Sequence, residues 1–323
     1  MTSAERFPSD VLPMSERARR LTPAQRAAGN ELLFRYGGDL RFFFVVGSVA
    51  TMQLMHPSFT SVVADNSVFY ADVWRRWFDR TQPMLQRAVF DENPVPVAHQ
   101  IRDIHTNLEG VDAKGRTWHA LNPKVFHWAH ATQYYGVWQV MERLDGRVLN
   151  HVEREAYYQA TRRVWSQFGL DLSVSPPDWP SFVEYYENFV ENDLEAISGP
   201  YEMLEFLTRQ VPPPPVPGIP KRLWNTVSAP VFEQYGRMTV GFMHPKARDI
   251  LGLRWTEDDE RWLRTVGRNV ARVVQSTPHG WWISPEARAA RFRHDTSLRG
   301  RYHYLAGEVL QRPIQTAWRL TTR

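Results

Sequence analysis

Apolar residues recur three and four positions apart along most of this chain, which is the spacing of one face of an α-helix. The densest run, Phe42 to Met55, predicts a central buried helix over about residues 40–56. Residues 123–141 are also apolar nearly all round and predict a second core helix. The chain contains no internal repeat, no run of alternating strands and no Gly-rich phosphate loop. The pattern therefore predicts an all-α fold.

Capping residues and helix breakers set the limits of the other predicted elements. Thr22-Pro23 begins a helix that runs to about Tyr36, and Asn150 with Glu153 forms a capping box. Residues 111–121 contain an Asp-to-Gly turn between two short segments and predict a small β-hairpin. The remaining helices are expected over residues 59–64, 71–89, 97–108, 150–168, 180–196, 200–210, 222–235 and 257–276.

Three regions are expected along the chain. Residues 1–21 are polar and predict an N-terminal arm, residues 22–276 a single helical bundle-like domain, and residues 277–323 a basic C-terminal extension. Residues 211–220 hold six prolines and predict a semi-rigid linker inside the domain. A chain of 323 residues is long enough to bury a sizeable core.

The composition is that of a globular protein, with 43% apolar residues and 13 Trp. Residues 1–10 do not have the pattern of a signal peptide. The longest uncharged apolar run, at residues 42–55, is too short to span a bilayer. We therefore expect a cytoplasmic protein without a transmembrane segment, although the absence of Cys leaves the redox compartment undetermined.

The net charge of +4 is unevenly distributed. From residue 285 onward, eight Arg face three acidic residues, which leaves about −1 for the preceding chain. A basic end could contact nucleic acid, an anionic membrane surface or an acidic partner. No nucleic-acid-binding motif accompanies it, and the chain uses 35 Arg but only 4 Lys. We therefore expect a solvated Arg-rich end and no nucleic-acid partner, with peripheral membrane contact left open.

Five of the eleven histidines lie between His99 and Thr132. Without Cys, a metal or haem iron must be held by imidazole or carboxylate. His105 follows Ile101 by four residues and precedes Leu108 by three, so it shares their apolar face. The alternative is a core histidine that bonds a backbone carbonyl.

The last two of these histidines, His127 and His130, are three residues apart on the predicted helix 123–141. This spacing is compatible with shared metal ligation but is common by chance. The His-Glu-x-x-His pattern of zinc proteases is missing, which argues against a hydrolytic zinc site.

Four short motifs follow one another in order along the chain. They are Gln53-Leu54-Met55-His56-Pro57, Arg102-Asp103-Ile104-His105 followed by Gly110, Trp118-His119-Ala120-Leu121-Asn122-Pro123, and Trp128-Ala129-His130-Ala131-Thr132. Their order and spacing resemble the MpaB-type oxygenase family, which is named for an oxygenase of mycophenolic acid biosynthesis and is related to latex-clearing rubber oxygenases. The resemblance extends from about Gly47 to Leu253.

The resemblance implies an all-α fold that holds one haem b, with a helix histidine as the axial iron ligand. In latex-clearing proteins this ligand lies in an Arg-x-x-His helix, which matches Arg102 and His105. Their distal Arg-x-x-Lys-Thr segment matches residues 77–81, where Trp77 replaces the arginine, Arg80 replaces the lysine and Thr81 is retained. The residues expected beside bound dioxygen therefore differ in kind from those of rubber oxygenases.

Two functions of different classes remain open. The first is a haem-dependent oxygenase or oxidase that acts on an apolar small molecule with dioxygen, using His105 as the iron ligand. A second histidine, His130 or His56, or else Arg80 would then steer the distal oxygen ligand, and Thr81 beside Arg80 would orient a distal water. A separate protein would supply any electrons required, because no flavin motif is present. The second is a non-catalytic haem-binding or interaction protein in which two histidines occupy both axial positions.

Overall fold

The computed structural model describes residues 15–66, 76–209 and 218–321, and its helices confirm the all-α class. Parts of five predicted segments lie outside the described residues, namely the arm, the helix at 71–89, the end of the helix at 200–210, the proline-rich linker and the end of the C-terminal extension. In the first half of the chain the helices are α1 (Glu16–Arg19), α2 (Pro23–Tyr36), α3 (Phe43–Leu54), α4 (Pro57–Asn66), α5 (Gln82–Phe90), α6 (Val95–Asp103), α7 (Pro123–Gln139) and α8 (His151–Ser166).

The second half of the chain is helical as well. Its helices are α9 (Trp179–Asn192), α10 (Ser198–Arg209), α11 (Lys221–Phe242), α12 (Pro245–Ile250), α13 (Glu257–Gln275), α14 (Pro285–His294) and α15 (Leu298–Thr321). Short helical turns of other types lie between these α-helices. There are 3₁₀ turns at Leu40–Phe42 and His279–Trp282 and π turns at Trp77–Thr81 and Val140–Leu144. The predicted capping box of Asn150 and Glu153 begins α8.

The predicted hairpin is confirmed, with β1 (Glu109–Val111) antiparallel to β2 (Thr117–His119). Gly110 lies opposite Trp118, and a Cβ at position 110 would lie 2.7 Å from the indole ring. Only glycine leaves room for the ring at this point. The hairpin thereby brings the residues after α6 back towards the start of α7.

Helix α3 lies at the centre of the fold, as its apolar sequence predicts, and packs against α7, α10 and α11. The approach of α3 and α7 is close because Gly136 has no side chain. A Cβ there would lie 2.8 Å from the ring of Phe42 and 3.0 Å from a methyl group of Val49. These two helices form one side of the cavity described below.

A buried ionic network fastens the beginning of α3 to the end of α7. Arg41 donates to both carboxylate oxygens of Asp39, and its Nη1 donates to Asp145 Oδ1 at 2.7 Å. Arg41 Nη1 also donates to the carbonyl of Leu144, and the Tyr36 hydroxyl donates to Asp145 at 2.5 Å. The Arg41 and Asp39 side chains are 2% and 0% exposed. One guanidinium therefore pairs with two carboxylates inside the protein.

Two predicted helices have different limits in the structure. The helix predicted over 97–108 ends at Asp103, because the hydrogen bonds beyond it shorten to three-residue turns such as His105 N–H to Arg102 O. Ile104, which the pattern assigned to the core stripe, is exposed. The helix predicted over 222–235 continues to Phe242, since Met238 and Phe242 extend its buried face.

The basic C-terminal residues form helices that contact the rest of the fold. Ile283, Ala287 and Ala290 pack with Phe90 of α5. Arg293 also donates to the Phe90 carbonyl at 2.7 Å. The C-terminal region that was expected to be solvated therefore forms two helices, and the first of them, α14, packs against α5.

Within the described ranges, no single helix is long and apolar enough to cross a membrane. The pair Leu40–Leu54 and Pro57–Ala64 reaches the required length and apolarity together, but the two segments are bent by 100° relative to each other.

Candidate functional site

A cavity of about 330 Å³ lies among α3, α4, α5, the end of α6, the hairpin, α7 and α8. Cavities of this size are typical of cofactor and small-molecule sites. Most of its wall is apolar, with contributions from Val46, Val49, Ala50, Phe59, Val62, Met84, Leu85, Val89, Ile101, Val125, Phe126, Val137, Val164 and Phe168. The polar groups of the wall are therefore few, and their positions decide what the cavity can bind.

Five residues singled out from the sequence line this one cavity: His105, His130, Trp77, Arg80 and Thr81. They come from three separate parts of the chain, the π turn at residues 77–81, the turn after α6, and α7. The fold therefore brings together the segments that the motifs suggested would meet.

His105 lies in the turn that follows α6 and is half-buried. Its Nδ1 lies 2.7 Å from the Ile101 carbonyl oxygen, so Nδ1 carries the proton and donates it. Burial lowers the pKa of His105 from its usual 6.5, and the hydrogen bond to Ile101 opposes this shift. The ring is consequently neutral near pH 7, with the lone pair on Nε2.

The π turn presents Trp77, Arg80 and Thr81 to the cavity. The N–H of Gln82 donates to the carbonyl of Trp77, five residues back. Pro83 has no N–H to donate to the preceding turn, which interrupts the α-helical hydrogen-bond ladder at this point. Arg80 is exposed at the cavity wall, and within the described parts of the chain no carboxylate pairs with it.

His130 lies on α7, and its ring centroid is 4.6 Å from that of Tyr134 and 5.5 Å from that of Trp165. Burial lowers the pKa of His130 to about 3, and a hydrogen bond to the Thr161 backbone only partly opposes this shift. His130 is therefore neutral under physiological conditions. It also borders a second cavity of about 10 Å³, which is large enough for about one water molecule.

Two other predicted site residues, Arg102 and His56, are not among the lining residues of the cavity. Arg102 donates to Asp103 at 2.7 Å and to the Phe168 carbonyl at 3.1 Å. His56 accepts a hydrogen bond from the Ser58 N–H, and its ring lies 5.7 Å from that of Phe189. The cofactor-binding roles expected for them stay predictions.

The wall holds further polar residues that were not singled out from the sequence as site residues, among them His119 and Gln53. His119 on β2 accepts the Leu121 N–H at Nδ1, so its Nε2 carries the proton in the neutral ring. Gln53 on α3 donates to Thr132 at 2.8 Å and ties α3 to α7 beside the cavity. The in-and-out alternation of β2 around the buried Trp118 is the signal that could have pointed to His119.

No group of three or more His, Asp or Glu in the described ranges could hold a metal ion. His127 and His130, three residues apart on α7, have ring centroids 5.7 Å apart. His127 is 1% exposed, and its ring contacts Trp165 and Tyr185 edge-on instead of lining the main cavity. The spacing of these two histidines therefore does not produce a multi-ligand metal site.

One of the comparisons with known proteins identifies a family. A family model described as "ER-bound oxygenase mpaB/B'/Rubber oxygenase, catalytic domain" matches residues 34–274. An uncharacterized protein of Mycobacterium bovis and another of Mycobacterium tuberculosis are each 24% identical over 240 residues, which cover 72% of this chain and 88% of each relative. No solved structure matches the chain significantly.

Proposed function

The chain belongs to the family of ER-bound mpaB-type oxygenases and rubber oxygenases, and on this basis we propose that it is a haem b-dependent oxygenase in which His105 holds the iron. Family membership makes the protein an oxidoreductase. The proposed substrate is an apolar small molecule, because most of the cavity wall is apolar. The observation that carries the proposal is the hydrogen-bonded tautomer of His105 at that wall.

His105 has the arrangement that an iron-ligating imidazole requires. Donation from Nδ1 to the Ile101 carbonyl fixes the tautomer and the ring orientation, and it leaves the Nε2 lone pair for a metal. Haem iron needs only one or two side-chain ligands, because the porphyrin supplies the others. The lack of a larger ligand group in the described ranges therefore fits a haem better than a non-haem metal centre.

Arg80 is the cation best situated for an anionic group in the cavity. It lines the wall, and no carboxylate of the described residues neutralises it. Arg102 already donates to a carboxylate and to a carbonyl. Arg80 would therefore be available to hold an anionic group of a bound haem, such as a propionate.

The bound haem would supply the activation of dioxygen. The chain would bind and orient the substrate through the apolar side chains of α3, α5 and α7 and would exclude water from it. His130 offers a hydrogen bond without a positive charge, because burial keeps its ring neutral. Thr81 offers a hydroxyl group from the π turn.

The test is the haem content of purified His105→Ala, compared with His130→Ala and with the exposed His151→Ala as a matched surface control. All proteins would be expressed with haem supplied and assayed by pyridine haemochrome and circular dichroism. We expect folded His105→Ala to retain little haem and His151→Ala to retain the wild-type amount. If His105→Ala keeps its full haem content with an unchanged spectrum while His130→Ala loses its haem, the iron ligand is His130 on α7 and not His105.

The alternative, a non-catalytic protein with two axial histidines, has one observation in its favour, since His105 and His130 line the same cavity. The absorption spectrum distinguishes the two functions. A low-spin ferric spectrum that neither cyanide nor imidazole changes would support the two-histidine protein. A spectrum that changes with cyanide, followed by consumption of dioxygen with an apolar substrate, would support the oxygenase.

A further inference from the structure

Helix α15 carries an exposed apolar stripe on the side opposite to the one that packs against the protein. At 100° per residue, Leu298, Tyr302, Leu305 and Val309 fall within about 60° of one another around the helix axis. Their side chains are 86%, 57%, 60% and 76% exposed. Large apolar side chains arranged in this way over three turns are typical of a surface that something covers.

The opposite side of α15 is already occupied. Gln311 donates to the carbonyls of Trp281 and Ile283, and Gly307 lies against Gly280 and Arg288. Arg288 in turn donates to Glu308 and Gln311. These contacts hold α15 in one orientation, so the stripe is presented outwards.

The charges beside the stripe have one sign. Arg301 and Arg312 flank it on one side and Arg299 on the other, and all three are exposed. The only acidic residue in the sequence of α15 is Glu308, which is bonded to Arg288. The face therefore combines an apolar centre with a positive border.

From this arrangement we propose that the outer face of α15 docks on an anionic membrane surface, with the stripe inserted among the lipids and the arginines on their headgroups. Amphipathic helices that bind in the plane of a membrane have this combination of residues. A second copy of the chain suits the face less well, because a two-fold contact would bring the arginine borders of both copies together. Four side chains are also far fewer than the roughly 20–30 residues per side of a standard interface.

The experiment is co-sedimentation of the full chain with vesicles of phosphatidylcholine alone or mixed with phosphatidylglycerol, at low and high salt. The stripe variant is Leu305→Gln with Val309→Gln, and the border variant is Arg301→Gln with Arg312→Gln. The matched control is Val148→Gln with Val273→Gln, which changes two exposed valines elsewhere. All substituted side chains are exposed, and circular dichroism and Tm would check that each variant folds.

We expect the wild type to bind the mixed vesicles and to lose affinity at high salt. The border variant should bind them about 30-fold more weakly, which corresponds to about 1 kcal/mol per arginine. The affinity of the stripe variant for the mixed vesicles should fall at least about tenfold, and the control should bind as the wild type does. The proposal is overturned if the wild type does not bind mixed vesicles, or if the control loses as much as the stripe variant. It is also overturned if sedimentation velocity finds a dimer that the stripe variant dissociates while vesicles stay unbound.

Discussion

Arg41→Met would remove the one cation that the buried carboxylates of Asp39 and Asp145 share. Burial lowers the pKa of Arg41, but the hydrogen bonds and charges of Asp39 and Asp145 outweigh it and raise that pKa overall. Breaking a buried ion pair by removing one partner costs about 3–5 kcal/mol, because the remaining charge stays buried without compensation. Since the two carboxylates lose four hydrogen bonds from this side chain, we expect a loss of about 3–5 kcal/mol at pH 7.

The pH dependence of this loss has a definite sign. Burial already raises the pKa of Asp39 above 3.8 even though Arg41 opposes the shift. Without Arg41 the pKa of Asp39 in the folded state rises further, so the folded protein takes up a proton at a pH where the unfolded chain does not. The stability of Arg41→Met relative to wild type therefore increases as the pH falls from 7 towards 5.

Urea unfolding at pH 7 and pH 5 measures both effects. The matched control is Arg87→Met, whose ion pair with Asp91 is 49% and 35% exposed and is expected to contribute less than about 1 kcal/mol. The neutral triple variant Asp39→Asn, Arg41→Met, Asp145→Asn should recover part of the loss, because no unpaired charge remains buried. The reasoning is refuted if Arg41→Met lowers the free energy of unfolding no more than Arg87→Met does, or if its loss grows as the pH falls from 7 to 5.

Two further predictions concern the cavity. Lysine can lose its proton and bind iron, whereas arginine stays protonated. If residue 80 faces the iron, Arg80→Lys should therefore make the ferric haem spectrum pH-dependent. A spectrum equal to that of the wild type at every pH would show that residue 80 lies away from the iron. The pKa of His130 is about 3 in the folded protein. Below pH 6.5 the unfolded chain therefore binds a proton at this residue that the folded protein does not bind, so the free energy of unfolding decreases as the pH falls towards 3. Urea midpoints for His130→Gln should therefore fall less between pH 6.5 and 4.5 than those of wild type, and an equally steep fall would contradict the buried neutral ring.

The sequence predicts most of the fold, because its signals are local. The apolar run of α3, the Asn150 cap and the Asp-to-Gly turn of the hairpin each depend on residues close in the chain, and each is present in the structure. The end of α6 was harder to predict, because Ile104 and Leu108 continue the helical spacing while the chain has already tightened into turns. Periodicity describes which side chains are apolar and not whether the backbone continues as a helix.

The site was predicted in part, for a related reason. The motifs suggested that His105, His130 and residues 77–81 share a function, and these residues line one cavity. The contribution of His119 depends on the return of the hairpin, which is a long-range contact that no local pattern specifies. Motif proximity likewise suggested Arg102 and His56, which do not line the cavity themselves but bond to Phe168 and Ser58, which do.

The π turn at residues 77–81 determines what the deletion of one residue in this segment would do. A π turn is an α-helix with one extra residue, so deleting a single codon within it would restore the ordinary helical count. Because the wide turn takes up that residue locally, the side chains on either side of it would keep their relative orientation. The deletion would instead change which of Trp77, Arg80 and Thr81 the turn presents to the cavity. The length of this turn therefore sets the side chains at this part of the wall, whereas the contribution of α5 does not depend on it.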